Sequence, residues 1–259
     1  MTTTSTTNVL SADGTSIALD RRGEGRTLIL VNGAGAYSAF NPATSLATML
    51  AGDFTVITYD RRGRGLSRDT LPYSVEREVE DIAALIDHHG DEAFLYGGSS
   101  GGLLVLQAAA AGLAIPRLAV FEPPFGFDEV TDAGFTASLA ALVDESRRSA
   151  AVEFFYDGIG VPPEVLSGMA PADREALEAV AHTLVYDCLV SEAITIETLQ
   201  AVTAPTLVIA SHDTSAEIAG WAEMVAEVLP NGTHVSLPGE WHQVADKDIA
   251  RQLTAFFLG

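Results

Sequence analysis

A chain of 259 residues with 47% hydrophobic side chains is long enough for one large α/β domain or two small ones, and apolar enough to exclude a disordered protein. Thirty-five acidic against fourteen basic residues give a formal charge of -21, a field that repels nucleic acid and anionic membranes and offers phosphate no basic patch. The single cysteine, Cys188, excludes an internal disulfide and every multi-cysteine metal site, and reads as a small buried apolar residue.

The chain opens on "MTTTSTTNVL", which has neither a basic n-region nor an apolar h-region, so no secretory signal is expected and the segment reads as a frayed polar tail. Four short apolar runs come next: "TLILV" from 27, "FTVITYD" from 54, "AFLYG" from 93 and "RLAVFEP" from 117. They are continuous rather than alternating, which predicts strands buried on both faces of a mostly parallel sheet. Between the second and third, "SVEREVEDIAALIDHHG" predicts a surface helix with Ser74 as N-cap, an apolar face at Val75, Val79, Ile82, Leu85 and Ile86, and an end at Gly90. Its acidic residues are expected to face solvent, and His88 and His89 to suit the negative end of the helix dipole.

The stretch "GLLVLQAAAAGLAI" from 102 to 115 is the most apolar in the chain, yet it is shorter than the ~20 residues a bilayer span needs. A soluble, cytoplasmic protein is expected. From about 128 to 200 the pattern is wholly helical, broken at Pro162-Pro163 and Pro171. Strand and helix alternation then resumes with "APTLVIAS", "AEIAGWAEMVAEVLPNG", "THVSLPG" and "DIARQLTAFFLG". One α/β sheet with a helical insertion is the implied organisation: 1–127 and 201–259 as core, 128–200 as insertion.

Chemistry concentrates in "LYGGSSGG" at 95 to 102, where G-x-S-x-G is met twice, with Ser99 or Ser100 at its centre. A strand, a glycine-rich turn around serine and an apolar helix form the context in which such a serine is a nucleophile. Ser99 is the better candidate, because "FLYG" runs straight into the turn and the glycine pair Gly101-Gly102 comes after it. "VNGAGA" at 31 to 36 matches neither the Walker A spacing nor the dinucleotide fingerprint.

With "YDRRGRGLS" at 59 to 67, the serine turn, and "FEPPF" at 121 to 125, the chain resembles the α/β-hydrolase superfamily over essentially its full length, and within it small bacterial hydrolases. The resemblance implies an oxyanion hole made by the N–H of Ser100 and by the N–H of Ala34, which comes after Asn32-Gly33 where the family has His-Gly. It implies a catalytic histidine after the last strand, where His242 stands; His182, His212 and His234 are weaker candidates. It places the acid just after "TLVIASHD", near Asp213, although the aligned position is Thr214. Glu122, at the end of the preceding strand as in the haloalkane dehalogenases, is the alternative and the preferred one. Asp60 is expected to pair with arginine in shaping its turn, and Arg61, Arg62 and Arg64 to be loop-holding and surface charges.

The insertion resembles a cap, with Phe154, Phe155, Tyr156, Tyr186 and Met169 as candidates for walling an apolar pocket. The resemblance therefore implies a serine hydrolase of an ester, lactone or thioester bond, needing no cofactor or metal, acting on a mid-sized apolar small molecule as a monomer or homodimer. Carbon–carbon hydrolysis or acyl-transfer cyclisation on the same triad is an alternative, and so is a ligand-binding protein that has kept the fold without turnover.

Overall fold

The computed structural model describes residues 5–90, 92–125 and 133–259. In chain order these residues form β1 (Ser5–Leu10), β2 (Ser16–Arg22), β3 (Arg26–Val31), α1 (Thr44–Leu50), β4 (Phe54–Tyr59), α2 (Val75–His89), β5 (Phe94–Gly98), α3 (Ser100–Ala110) and β6 (Leu118–Phe121). Helices α4 (Ala133–Asp144), α5 (Arg148–Gly158), α6 (Pro163–Ser167), α7 (Pro171–Ala179), α8 (Thr183–Ala193) and α9 (Ile196–Ala201) succeed one another without a strand between them. Then come β7 (Thr206–Ser211), α10 (Ala216–Val228), β8 (Gly232–Leu237), the two-residue strands β9 (Gly239–Glu240) and β10 (Gln243–Val244), and α11 (Asp246–Leu258).

Eight strands form one sheet in the order β1-β2-β4-β3-β5-β6-β7-β8. Pairing is antiparallel from β1 through β2 to β4 and parallel from β4 to β8. The continuous apolar runs are explained by burial from both sides. Ile29, Val31, Ile57 and Leu95 pack with the apolar faces of α2, α3 and α10, while Leu28, Leu30, Val56 and Phe94 pack with α1 and α11. Phe94 and Phe257 stack with ring centroids 4.8 Å apart, fixing α11 to the second face.

Two expectations are corrected. The segment read as a frayed tail supplies the edge strand β1 from Ser5 onward, in register with β2 from Ser5↔Arg21 to Leu10↔Ser16. Residues 1–4 of that segment lie outside the described residues. The acidic side of α2 is not uniformly solvated either, because Glu78 and Asp81 are each 1% exposed.

The inserted helices start where proline permits: Pro163 and Pro171 stand in the first turns of α6 and α7, where a missing N–H costs no hydrogen bond. They do not form a separate body throughout. Leu139, Val152, Phe155, Leu177 and Leu184 make a cluster of their own, but Val190 of α8, Ile194 just after it and Leu199 of α9 join the main core. Among the described residues no helix is long and apolar enough to cross a membrane.

Candidate active site

The carboxyl ends of β5 and β6 lie side by side, Gly98 opposite Phe121. At the first of these ends the chain turns sharply into α3. Ser99 takes φ 54° and ψ -131°, its N–H donates to the Phe121 carbonyl at 2.9 Å, and its own carbonyl accepts from the Gly102 N–H at 2.8 Å. Such a backbone costs a non-glycine residue on the order of 1–3 kcal/mol and persists only where its surroundings enforce it. Glycine enforces it here. A Cβ on Gly97 would overlap the Gly101 carbonyl, and one on Gly101 would overlap the carbonyl of Val31 in β3, so helix and sheet approach more closely than any side chain permits.

Ser99 and Ser100 are separated by this turn. Ser100 is the first residue of α3, with an N–H that has no acceptor within the helix, and its hydroxyl donates to Asp187 Oδ1 at 2.8 Å. Ser99 faces the cavity from the strained position. Gly33 packs directly beneath, where a Cβ would stand 3.0 Å from the Gly98 carbonyl and 3.1 Å from the Ser99 Cβ. Ala34, the next residue, lines the same cavity as Ser99 and Ser100.

One residue past β6, Glu122 is 1% exposed, and its N–H donates to the Ile209 carbonyl at 2.9 Å. Its Oε2 lies 2.6 Å from His242 Nδ1, and its Oε1 accepts from the Ser211 N–H at 2.7 Å. Burial acts to raise this carboxyl's pKa, but the hydrogen bonds from His242 and Ser211 outweigh it and hold the group below its ordinary value. His242 sits in the two-residue turn between β9 and β10, with φ 49°, between the rings of Trp241 and Phe121. Among the described residues four non-glycine residues have positive φ, and three of them are Ser99, Glu122 and His242. Strain is concentrated in three residues that line one cavity.

Asp213 is not brought to this histidine. It lies beyond the end of β7, exposed, with its N–H on the Gly239 carbonyl at 3.0 Å, while Glu122 occupies Nδ1 of His242. The other histidines are elsewhere: His212 and His234 are exposed, and His182 stands 3.7 Å from Asp69.

The cavity encloses about 640 Å³, part of it open to solvent. Ser99, Glu122 and His242 line it together with Phe135, Phe155, Ile159 and Cys188 from the insertion and Ile218, Trp221 and Trp241 from the later part of the chain. Phe155, not Phe154, belongs to this lining: Phe154 turns outward and stacks on Phe135 at 4.8 Å. Tyr186 is also displaced from the expected role. Its ring stacks on Tyr73 at 3.8 Å and its hydroxyl donates to Asp69 at 2.8 Å, on the far side of α8. Both residues stand on the inserted helices as expected; only helix phase decided which side chains turn inward. Cys188 is buried as expected, and burial pushes its thiol up to about 12.

Asp60 lacks its expected arginine partner, and the arginines after it hold loops as expected but from buried rather than surface positions. Among the described residues Asp60 pairs with no arginine; it accepts from the Ser38 and Leu66 N–H groups at 2.6 and 2.8 Å and from the Ser38 hydroxyl at 2.9 Å. Arg61, Arg62 and Arg64 are at most 1% exposed. Arg61 forks onto Glu78 at 2.6 and 2.7 Å, and Arg62 onto Asp81 at 2.7 and 2.8 Å. Both Arg61 and Arg64 also reach Asp187 at 2.7 Å. Asp187 is the residue that sequence reasoning passed over. Its one signal is a lone carboxylate in the apolar run "LVYDCLV".

A parallel sheet that brings a serine turn and a histidine–carboxylate pair to one cavity at its carboxyl edge has the architecture of an α/β-hydrolase enzyme. The chain belongs to the alpha/beta hydrolase family, whose model matches residues 28–247, and it is a hydrolase. An α/β hydrolase from Sphaerobacter thermophilus is 45% identical, with a TM-score of 0.89 over 97% of this chain and 100% of that one. An esterase from a Rhodococcus species is 22% identical, at a TM-score of 0.74 over 98% and 100%. A 2-hydroxy-6-oxo-6-phenylhexa-2,4-dienoate hydrolase from another Rhodococcus strain is 20% identical, at 0.73 over 99% and 100%. No curated protein matches the chain in sequence.

Proposed function

We propose that the protein hydrolyses a carboxylic ester, lactone or thioester of a mid-sized apolar small molecule through an acyl-enzyme on Ser99. The observation that carries this reading is the 2.6 Å contact between Glu122 and His242 Nδ1 beside a serine held in a strained turn. Glu122 fixes the tautomer that leaves Nε2 of His242 as the base, and stabilises imidazolium once His242 has taken the Ser99 proton. The Ser99 oxygen adds to the substrate carbonyl, the N–H groups of Ala34 and Ser100 receive the negative charge on its oxygen, and His242 returns the proton to the departing alcohol or thiol. Water, activated by the same histidine, then releases the acid. The inserted helices act as the cap over this site, keeping bulk water from the acyl-enzyme.

The lining supports the substrate class. Among the described residues it contains aromatic and aliphatic side chains, the carboxylates Glu122 and Asp187, and no Lys or Arg. Residues 1–4, 91 and 126–132 carry no Lys or Arg either. An anionic substrate would find no counter-charge, which favours neutral esters over dienoate-type carbon–carbon substrates.

Labelling with a fluorophosphonate, mapped by mass spectrometry, is the test. Adduct is expected on Ser99 and lost in Ser99→Ala. Glu122→Gln should lower kcat on neutral p-nitrophenyl esters by roughly 10³–10⁴-fold, as loss of a triad acid does, while Asp213→Asn leaves it unchanged. Adduct on Ser100, or turnover that survives Ser99→Ala, overturns the assignment; faster turnover of an anionic dienoate than of a neutral ester overturns the substrate class.

A further inference from the structure

We propose that Asp187 and Arg64 are positioning residues that aim both oxyanion donors, so that the oxyanion hole is assembled only when α8 is docked. This assignment rests on the serine-hydrolase reading.

Peptide planes set the direction of both donors. In a trans peptide the C=O and the next residue's N–H point in opposite directions, so whatever grips the carbonyl aims the N–H. Arg64 Nη1 donates to the Gly33 carbonyl at 2.7 Å, and that carbonyl shares its peptide with the N–H of Ala34. The same guanidinium reaches the Ala36 carbonyl at 3.4 Å, and Arg61 reaches the Asn32 carbonyl at 3.3 Å, so this loop is held at three carbonyls by two buried arginines. The second donor is held in the same way: the Ser99 carbonyl, which shares its peptide with the Ser100 N–H, accepts from Gly102 at 2.8 Å.

One carboxylate ties these two halves together. Asp187 Oδ1 accepts from Arg61 Nη1 at 2.7 Å and from the Ser100 hydroxyl at 2.8 Å, and its Oδ2 accepts from Arg64 Nη2 at 2.7 Å. Asp187 belongs to α8, whereas Arg61, Arg64 and Ser100 belong to the core. It is 2% exposed and lines the cavity that holds Ser99. Arg61, Arg64, Glu78 and Asp187 together carry no net charge, so the cluster places neither a free anion nor a free cation behind the developing oxyanion. Stability alone is a poor reason for such a cluster, since buried ion pairs roughly break even against apolar packing. Fixing direction is the use that the fork of Arg64 serves, one arm on the Gly33 carbonyl and the other on Asp187.

The test compares a p-nitrophenyl ester with its thiono counterpart, whose C=S sulfur is larger and a weaker acceptor and so gains less from the two N–H donors. Wild type, Asp187→Asn, Arg64→Lys and Ser100→Ala are assayed, each normalised to the fluorophosphonate-titratable fraction. In Asp187→Asn and Arg64→Lys, kcat on the oxygen ester is expected to fall roughly 10- to 100-fold, less than the loss of a whole donor, with KM within about threefold. The ratio of oxygen- to thiono-ester rates should fall towards one. Ser100→Ala keeps its N–H and its fold while cutting one link, and should lower the ratio less. Should Asp187→Asn and Arg64→Lys fail to fold, the Ser100→Ala ratio decides. A ratio unchanged from wild type in the variants that fold overturns the inference while leaving the serine mechanism standing. Oxygen-ester hydrolysis that survives Ser99→Ala sinks both.

Discussion

Ser99, Glu122 and His242 come from three separate stretches of chain, and each stands on backbone that a non-glycine residue rarely adopts. That Ser99 rather than Ser100 takes the tip of the turn was legible in the sequence, because the glycine spacing marks that tip. The choice between Glu122 and Asp213 was not: both come after apolar strands, and only the neighbouring hydrogen bonds distinguish them. Since Glu122 is held below its ordinary pKa, it contributes stability that is complete only well above the unfolded Glu value of about 4.3 and is lost as pH falls through the depressed native value. Glu122→Gln removes that linkage. Its urea-unfolding free energy should fall less steeply than that of wild type on the acid limb; parallel curves would mean that this carboxyl is not depressed in solution.

At the scale of elements, the strands and the long helices stand close to where periodicity predicts them. The serine turn joins β5 to α3, and α2 runs from Val75 to His89 with Ser74 as its N-cap residue. Periodicity sorts residues by polarity, so it assigned Glu78 and Asp81 to solvent and missed that Arg61 and Arg62 neutralise them inside the protein. The close contact of α3 with β3 gives a test at this scale. Gly101→Ala drives a methyl into the Val31 carbonyl, and Gly98→Ala meets nothing within 4 Å. Chemical denaturation should show the first destabilised by about 1–3 kcal/mol or more and the second near wild type. Equal stability of the two would mean that α3 is free to shift away from the sheet.

For the whole molecule, the charge of -21 acts as diffuse self-repulsion, because the buried arginines are already paired and leave few cations to offset the acidic surface. Raising ionic strength from 10 to 150 mM shortens the screening length from about 30 to about 8 Å. If the repulsion relieved is about 1 kcal/mol, Tm should rise by roughly 2–4 °C for a chain of this size. A flat or falling Tm would place the acidic residues in compensating local pairs. The same scale explains the two-sided character of the insertion. Helices α4, α5 and α7 enclose a core of their own together with Leu184 and Cys188 of α8, while Val190 of α8 and Leu199 of α9 share the core of the sheet, so α8 belongs to both.

By itself the sequence determined the parallel sheet, the helical insertion and the serine turn, because these are consequences of local periodicity and turn chemistry; His242 and Glu122 entered as candidates through the resemblance to the α/β-hydrolase superfamily. Tertiary structure alone decided that Glu122 reaches His242 and Asp213 does not, that Phe155 rather than Phe154 faces the cavity, that the polar N-terminal segment becomes an edge strand, and that Asp187 sits against Ser100. Each of these depends on contacts between segments that the linear pattern leaves uncorrelated, 120 residues apart for Glu122 and His242 and 87 for Ser100 and Asp187. Burial and hydrogen-bond satisfaction settle such contacts only once the chain has closed on itself.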